Sequence, residues 1–370
     1  MDQSPEAAYW LNLAYASGLK LARVKAIVNP WCIEGAHSLS ALFELSPAEI
    51  ASRIGISDEE AEQVVAAASR VPEQAKWLAR LEGDGTQLIT RGDPRYPRSL
   101  VRWLPLALQP LLLFCQGNTR LLNHPSVSVI GTQDADGKGI SLARELTTLL
   151  AEEGLVVVSG LGKGVGQAAF EAALSVEEGQ ASAVLPLGIS AFHGISDVSL
   201  ALGAAAKQER VLLISPFHPE AKFSEARAVA RYKLIVGLTE AIFVVTAGEE
   251  GVARETADEA LRLGKTVCVW DLDPTVGPEV AGNQALVKAG AIPIASVQDI
   301  LDAVEAVMAT ALERIEKAEH PPTPPPSPAT QVMETEAPYD SQAVLDLLSS
   351  TGHVPDALAR RLRTGAEDPP

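Results

Sequence analysis

Residues 155–174, LVVVSGLGKGVGQAAFEAAL, set glycines at 160, 162, 164 and 166 between an apolar run and an alanine-rich stretch. The order strand, glycine turn, helix brings backbone N–H groups and the positive end of a helix dipole to one point. The chemistry this suits is anion recognition, phosphate above all, with Lys163 beside the amides. The spacing is not G-x-G-x-x-G, and the following run SAVLPLGIS ends in no carboxylate for a ribose, so a dinucleotide is disfavoured. No Gly-Lys-Ser/Thr follows the turn, which removes the Walker reading, and no Ser-His-Asp or Cys-His set can be assembled.

Cys32, Cys115 and Cys268 are far apart, and no histidine stands at ligand spacing to a cysteine. Neither a disulfide framework nor a metal or other cofactor is expected. The formal charge of −17 counts against a surface that coats nucleic acid indiscriminately, but leaves room for a focused basic pocket. Basic residues gather at Arg91, Arg95, Arg98 and Arg102, and again at Arg227, Arg231 and Lys233. The longest apolar stretch, Leu104 to Phe114, is short and broken by prolines, and the N-terminus has no basic lead into an apolar core. A cytoplasmic protein without a membrane segment is expected.

The elements that must position the turn follow a regular βαβ rhythm between about 125 and 310. Candidate strands are SVSVIG, LVVVSG, SAVLPL, RVLLIS, AIFVVTA, KTVCVW and IPIA, separated by amphipathic helical stretches. Apolar runs without alternation mark strands buried on both faces. The fold class is α/β: a Rossmann-like, doubly wound, mostly parallel sheet, with ligands at the carboxyl ends of its strands. Residues 1–72 read as a helical unit of helix-hairpin-helix or SAM-like type, with helix starts at Ser46-Pro47 and Ser57-Asp58. Residues 73–124 connect it, through a strand, to the Rossmann-like domain at 125–312. A proline-rich linker at 313–340 and short helices at 341–370, part of a winged-helix-like unit, complete the division.

Several segments together resemble the DNA-processing protein A (DprA/Smf) family, of which this chain would be a divergent member. GDPRYPRSL and the run to CQGNTRLL are similar to the family's D-x-x-YP-x-x-L element and following strand. VSVIGT matches V-x-I-V-G-T/S-R, SGLGKG matches S-G-x-A-R/K-G-I-D, and RYKLIVGL is similar to R-N-R-I-I-A-G-L. TADEALRLGKTVCVW and AGNQALVKAGAIPI resemble the family's later segments. The resemblance implies a non-enzymatic single-stranded-DNA-binding protein of natural transformation that presents DNA to a RecA-type recombinase, acting as a homodimer. It places nucleic-acid contacts at Thr132, Gln133, Ser159, Gly160, Lys163, Gly164, Arg231 and Lys233, with Tyr232 a possible base-stacking platform.

Five positions depart from the family's pattern: Gln133 for its arginine, Gly166 for Asp, Phe170 for His, Pro216 for Glu and Tyr232 for Asn. Losing the charge at 133 weakens phosphate binding. Two other readings compete. One is a nucleotide-sensing or interaction module of the same fold group with no DNA role. The other is a nucleoside-monophosphate phosphoribohydrolase, for which GEEGVARETADE offers Gly251, Thr256 and Glu259; the bland reading of that T-x-x-E is a capping box.

Overall fold

A computed structural model describes residues 5–192, 209–271 and 281–319. The chain opens with α1 (Glu6–Tyr15), α2 (Leu21–Val28), a π-helical turn (Asn29–Glu34), α3 (Leu39–Leu42), α4 (Pro47–Ile54), α5 (Asp58–Ala67) and α6 (Val71–Gly83). The caps decide where these helices start. Ser46 and Ser57 each accept the backbone N–H of a glutamate three residues on, and Glu49 and Glu60 return the bond, so both expected starts carry complete capping boxes. Gly55, at φ 77°, ends α4 in the left-handed conformation. Helix α6 runs straight through residue 72, so no break marks the expected end of the helical unit.

The nine-stranded sheet comprises β1 (Thr86–Thr90), β2 (Leu112–Gly117), β3 (Ser126–Ile130), β4 (Val156–Ser159), β5 (Ala181–Val184), β6 (Val211–Ser215), β7 (Ala241–Val244), β8 (Thr266–Trp270) and β9 (Ile292–Ile294). Its order is β1-β2-β6-β5-β4-β3-β7-β8-β9. Strands β3 to β9 are the seven expected, all parallel to one another; β1 and β2 add antiparallel pairs on the β6 side. Strand β1 was absent from the sequence expectation. Every residue of β3, β4, β5, β6 and β7 is buried, as helices on both faces require. Those helices are α7 (Arg98–Trp103), α8 (Gly137–Glu152), α9 (Val165–Ser175), α10 (Ile189–Phe192), α11 (Glu225–Leu238), α12 (Val252–Arg262), α13 (Ala281–Lys288) and α14 (Val297–Glu319). Helix α14 continues past residue 313, where the linker was expected to begin; the rest of that linker and the C-terminal helices lie outside the described residues.

Strand order reverses at β3, with β4 to β6 on one side and β7 to β9 on the other. This is a topological switch point, where an open α/β sheet leaves a crevice at its carboxyl edge. The core is continuous with the N-terminal helices. Leu11, Ile27 and Val64 share one apolar cluster with Leu88 and Phe114 of the sheet and Phe170 of α9. Tyr15 and Trp77 close on His218, whose ring stacks on Trp77 at 5.0 Å and meets Tyr15 edge-on at 5.1 Å. Among the described residues no helix is long and apolar enough to cross a membrane.

Candidate functional site

Strand β4 ends at Ser159, and its hydroxyl shapes the glycine turn. Ser159 Oγ donates to the Gly166 carbonyl at 2.7 Å and accepts the Leu161 N–H at 3.1 Å. Two residues of the turn adopt positive φ, Leu161 at 53° and Gly164 at 83°. A leucine in that region is strained, and such strain persists only where the surroundings hold it. The N–H groups of Gln167 and Ala168 donate to Gly162 and Gly164 carbonyls, starting α9 directly from the turn.

The loop after β3 is pressed onto this turn. A methyl group on Gly164 would fall 2.6 Å from the carbonyl oxygens of both Thr132 and Gln133. Thr132 is held from the other side: its N–H donates to Thr246 Oγ1 at 3.1 Å, and the two hydroxyls are also 3.1 Å apart. The ends of β3, β4 and the segment after β7 are thereby tied at the switch point.

Helix α11 supplies the charge beneath. Arg231 is only 6% exposed and packs on the turn, with Nε 3.0 Å from where a Gly160 β-carbon would stand and Nη2 3.3 Å from that of Gly162. Its Nη2 donates to the Tyr232 hydroxyl at 3.3 Å, and the guanidinium lies over that ring at 5.0 Å. Nε has no hydrogen-bond partner, and among the described residues no carboxylate pairs with Arg231. A buried charge left this way is destabilising, and an anion seated at the turn would relieve it.

Gln133, Ser159, Gly160, Lys163, Gly166 and Tyr232 line one cleft, and Arg231 packs against Gly160 and Gly162 of its wall. Lys163 and Gln133 stand exposed at its rim. Of the eight expected contacts, Gln133, Ser159, Gly160 and Lys163 line this cleft, while Thr132, Gly164 and Arg231 pack against the segments that form it. Lys233 does not join them. Two residues along a helix is about 200° of rotation, and Lys233 opens instead into a second cleft with Glu255, Thr256 and Glu259.

The T-x-x-E segment is corrected here. Gly251, not Thr256, is the N-cap of α12; the Thr256 hydroxyl donates to the Val252 carbonyl inside the helix, and Glu259 pairs with Arg262. It is not a capping box. Tyr232, with Arg231 over its ring and its hydroxyl engaged, is a support for the arginine more than a free stacking surface. Of the other departures, Phe170 of α9 is buried in the core, and Gly166 leaves space on the cleft floor, since a β-carbon there would meet nothing closer than Ser159 Oγ at 3.5 Å. Burial pushes the Cys32, Cys115 and Cys268 thiols up to about 12, so none is a ready nucleophile.

Two residues at the N-terminal end of α11 were not among the expected contacts. The loop from β6 to α11 is anchored by Ser215 Oγ donating to the Leu187 carbonyl and by Gly188 N–H donating to the Ala221 carbonyl. It exposes Phe223 to 61%, while Arg227 lies over Phe217 at 5.7 Å and donates to the Lys222 carbonyl. For Arg227 the four-residue spacing to Arg231 was the available signal, since it puts the two on one side of the helix; Phe223, before the Ser224 N-cap, had none.

Residues 87–305 match the family model described as DNA recombination-mediator protein A. The chain is 29% identical over 297 residues to a DNA processing protein DprA of Mycobacterium tuberculosis H37Rv, spanning 76% of this chain and 73% of that one. The crystal structure of DNA processing protein A from Streptococcus pneumoniae superposes with a TM-score of 0.62 at 24% identity, covering 80% of this chain and 97% of that chain. The Helicobacter pylori protein of that name, whose structure was described for its single-stranded DNA binding mode, gives a TM-score of 0.51 at 21% identity, covering 60% and 96%. With a family model matching more than half its length, the chain belongs to the DNA recombination-mediator protein A family, the DprA/Smf proteins of DNA processing.

Proposed function

We propose that the glycine turn binds the phosphate backbone of single-stranded DNA, that no covalent step ensues, and that the bound strand is presented to a RecA-type recombinase. The observation that carries this reading is Arg231, buried beneath the turn with Nε unpartnered, next to the exposed Lys163. A helix N-terminus, backbone amides and two cations suit a phosphodiester, whose single negative charge needs no metal to neutralise it. The Helicobacter pylori relative, which binds single-stranded DNA, supports the choice of ligand, and the family's description as a recombination mediator supports the recombinase. A cytoplasmic homodimer completes the reading.

Fluorescence anisotropy with a labelled single strand tests it. Binding is expected to weaken steeply with salt and to be largely lost in Arg231→Ala. Absence of binding by the unaltered protein at low salt would overturn the reading. Calorimetry with nucleoside monophosphates separates a nucleotide sensor from a DNA binder.

A further inference from the structure

Arg231 is level with Gly160, at the carboxyl end of β4, so the residues of α11 that precede it project beyond the sheet edge. At 1.5 Å per residue, Glu225, the first residue of the helix, stands about 9 Å further out along this axis, and Phe223 comes just before the Ser224 N-cap. Val229 on the projecting turns is exposed, and so is Phe223 before them. A phenylalanine at 61% exposure on a free loop tip would be unremarkable, but this loop is held at several points. Ser215 and Gly188 fix its start, and Pro219 accepts backbone N–H groups from Ser190 and Ala191. His218 is clamped between Tyr15 and Trp77, and Ser224 caps α11 by accepting the Arg227 N–H at 3.3 Å. The ring is thus displayed by a pinned frame, which lowers the entropy lost when a flat partner stacks on it.

Within α11, Arg227, Arg231 and Ile235 recur at four-residue spacing, and the last two both pack against Gly160. The stripe runs from the glycine turn toward the N-terminal end of the helix, where the exposed Phe223 precedes the cap. Resting on the function proposed above, we propose that Phe223 is a base-stacking residue: a strand with one phosphate over Gly160 and Lys163 lays a neighbouring unpaired base on the Phe223 ring. Arg227, half-buried between Phe217 and Lys222, supplies the cation between the two stations. Stacking of this kind tolerates any base, because every base offers a π-face.

The test compares oligothymidylate with a strand of equal length carrying abasic sites, both fluorescein-labelled, on the full chain. The unaltered protein is expected to prefer the strand with bases, and Phe223→Ala to reduce that preference by about 5- to 150-fold. Phe223→Tyr is expected to restore it, and Lys163→Ala to weaken both strands alike. The inference is overturned if Phe223→Ala keeps the preference while Lys163→Ala weakens both strands, or if Phe223→Ala weakens both equally. If the unaltered protein binds neither strand at low salt, the proposed function falls and this inference with it.

Discussion

Arg231 and Gly160 are in direct contact: the guanidinium Nε lies 3.0 Å from the position a β-carbon on Gly160 would occupy. The glycine is what lets a buried cation approach the backbone of the turn this closely. Gly160→Ala is expected to displace the flexible end of Arg231 by a few tenths of an ångström, with a stability change under about 1 kcal/mol. Affinity for a single strand is expected to fall several-fold. Melting temperature and anisotropy, measured on the same preparation, check the two halves separately.

Lys163 contributes differently, as an exposed charge. Each phosphate neutralised on a single strand adds about 0.7 to the slope of log affinity against log salt. Lys163→Ala is expected to lower the slope by about that amount. Gln133→Arg, on the same rim, is expected to raise it by a similar amount, with tighter binding at low salt. A titration across several salt concentrations reads both.

The two glycines on either side of Val165 separate packing from space. Gly164→Ala puts a methyl 2.6 Å from two carbonyl oxygens at a φ of 83°, so a loss of about 2–4 kcal/mol is expected. Gly166→Ala meets nothing closer than 3.5 Å, in the first turn of α9. It is expected to be neutral or stabilising by up to about 1 kcal/mol. Chemical denaturation of the two variants distinguishes them.

One carboxylate of the N-terminal helices responds to acid through its pairing. Glu60 is held down from 4.5 to about 2, first by its hydrogen bond with Arg23 and then by the Ser57 cap. A carboxylate lowered in the folded state stabilises it above its unfolded value, and that contribution is lost as pH falls through the folded one. Melting temperature is therefore expected to drop between pH about 4.5 and 2. Glu60→Gln is expected to start lower and to show a shallower drop across that interval.

The parallel strands were legible because each is an apolar run bounded by glycine or polar residues, and burial on both faces needs nothing more. Strand β1 was not: TQLIT is short, half polar, and becomes a strand only by pairing with β2. Within the site, the turn and the loop after β3 were readable from glycine spacing. The separation of Arg231 from Lys233 comes from helical geometry, yet both look alike when a motif is read as a string. The burial of Arg231 had no local signal, because it arises from the bare backbone at Gly160 and Gly162, residues roughly seventy positions away.

The apolar cluster shared by the N-terminal helices and the sheet ties the two into one interior. Cutting before β1 would strip Leu88, Leu112 and Phe114 of their cover and release His218 from Trp77 and Tyr15. Heating is therefore expected to melt helices and sheet in one cooperative step, visible as a single calorimetric peak. The helical N-terminus is then half of a common interior, and the loop that displays Phe223 keeps its shape only while that interior is closed.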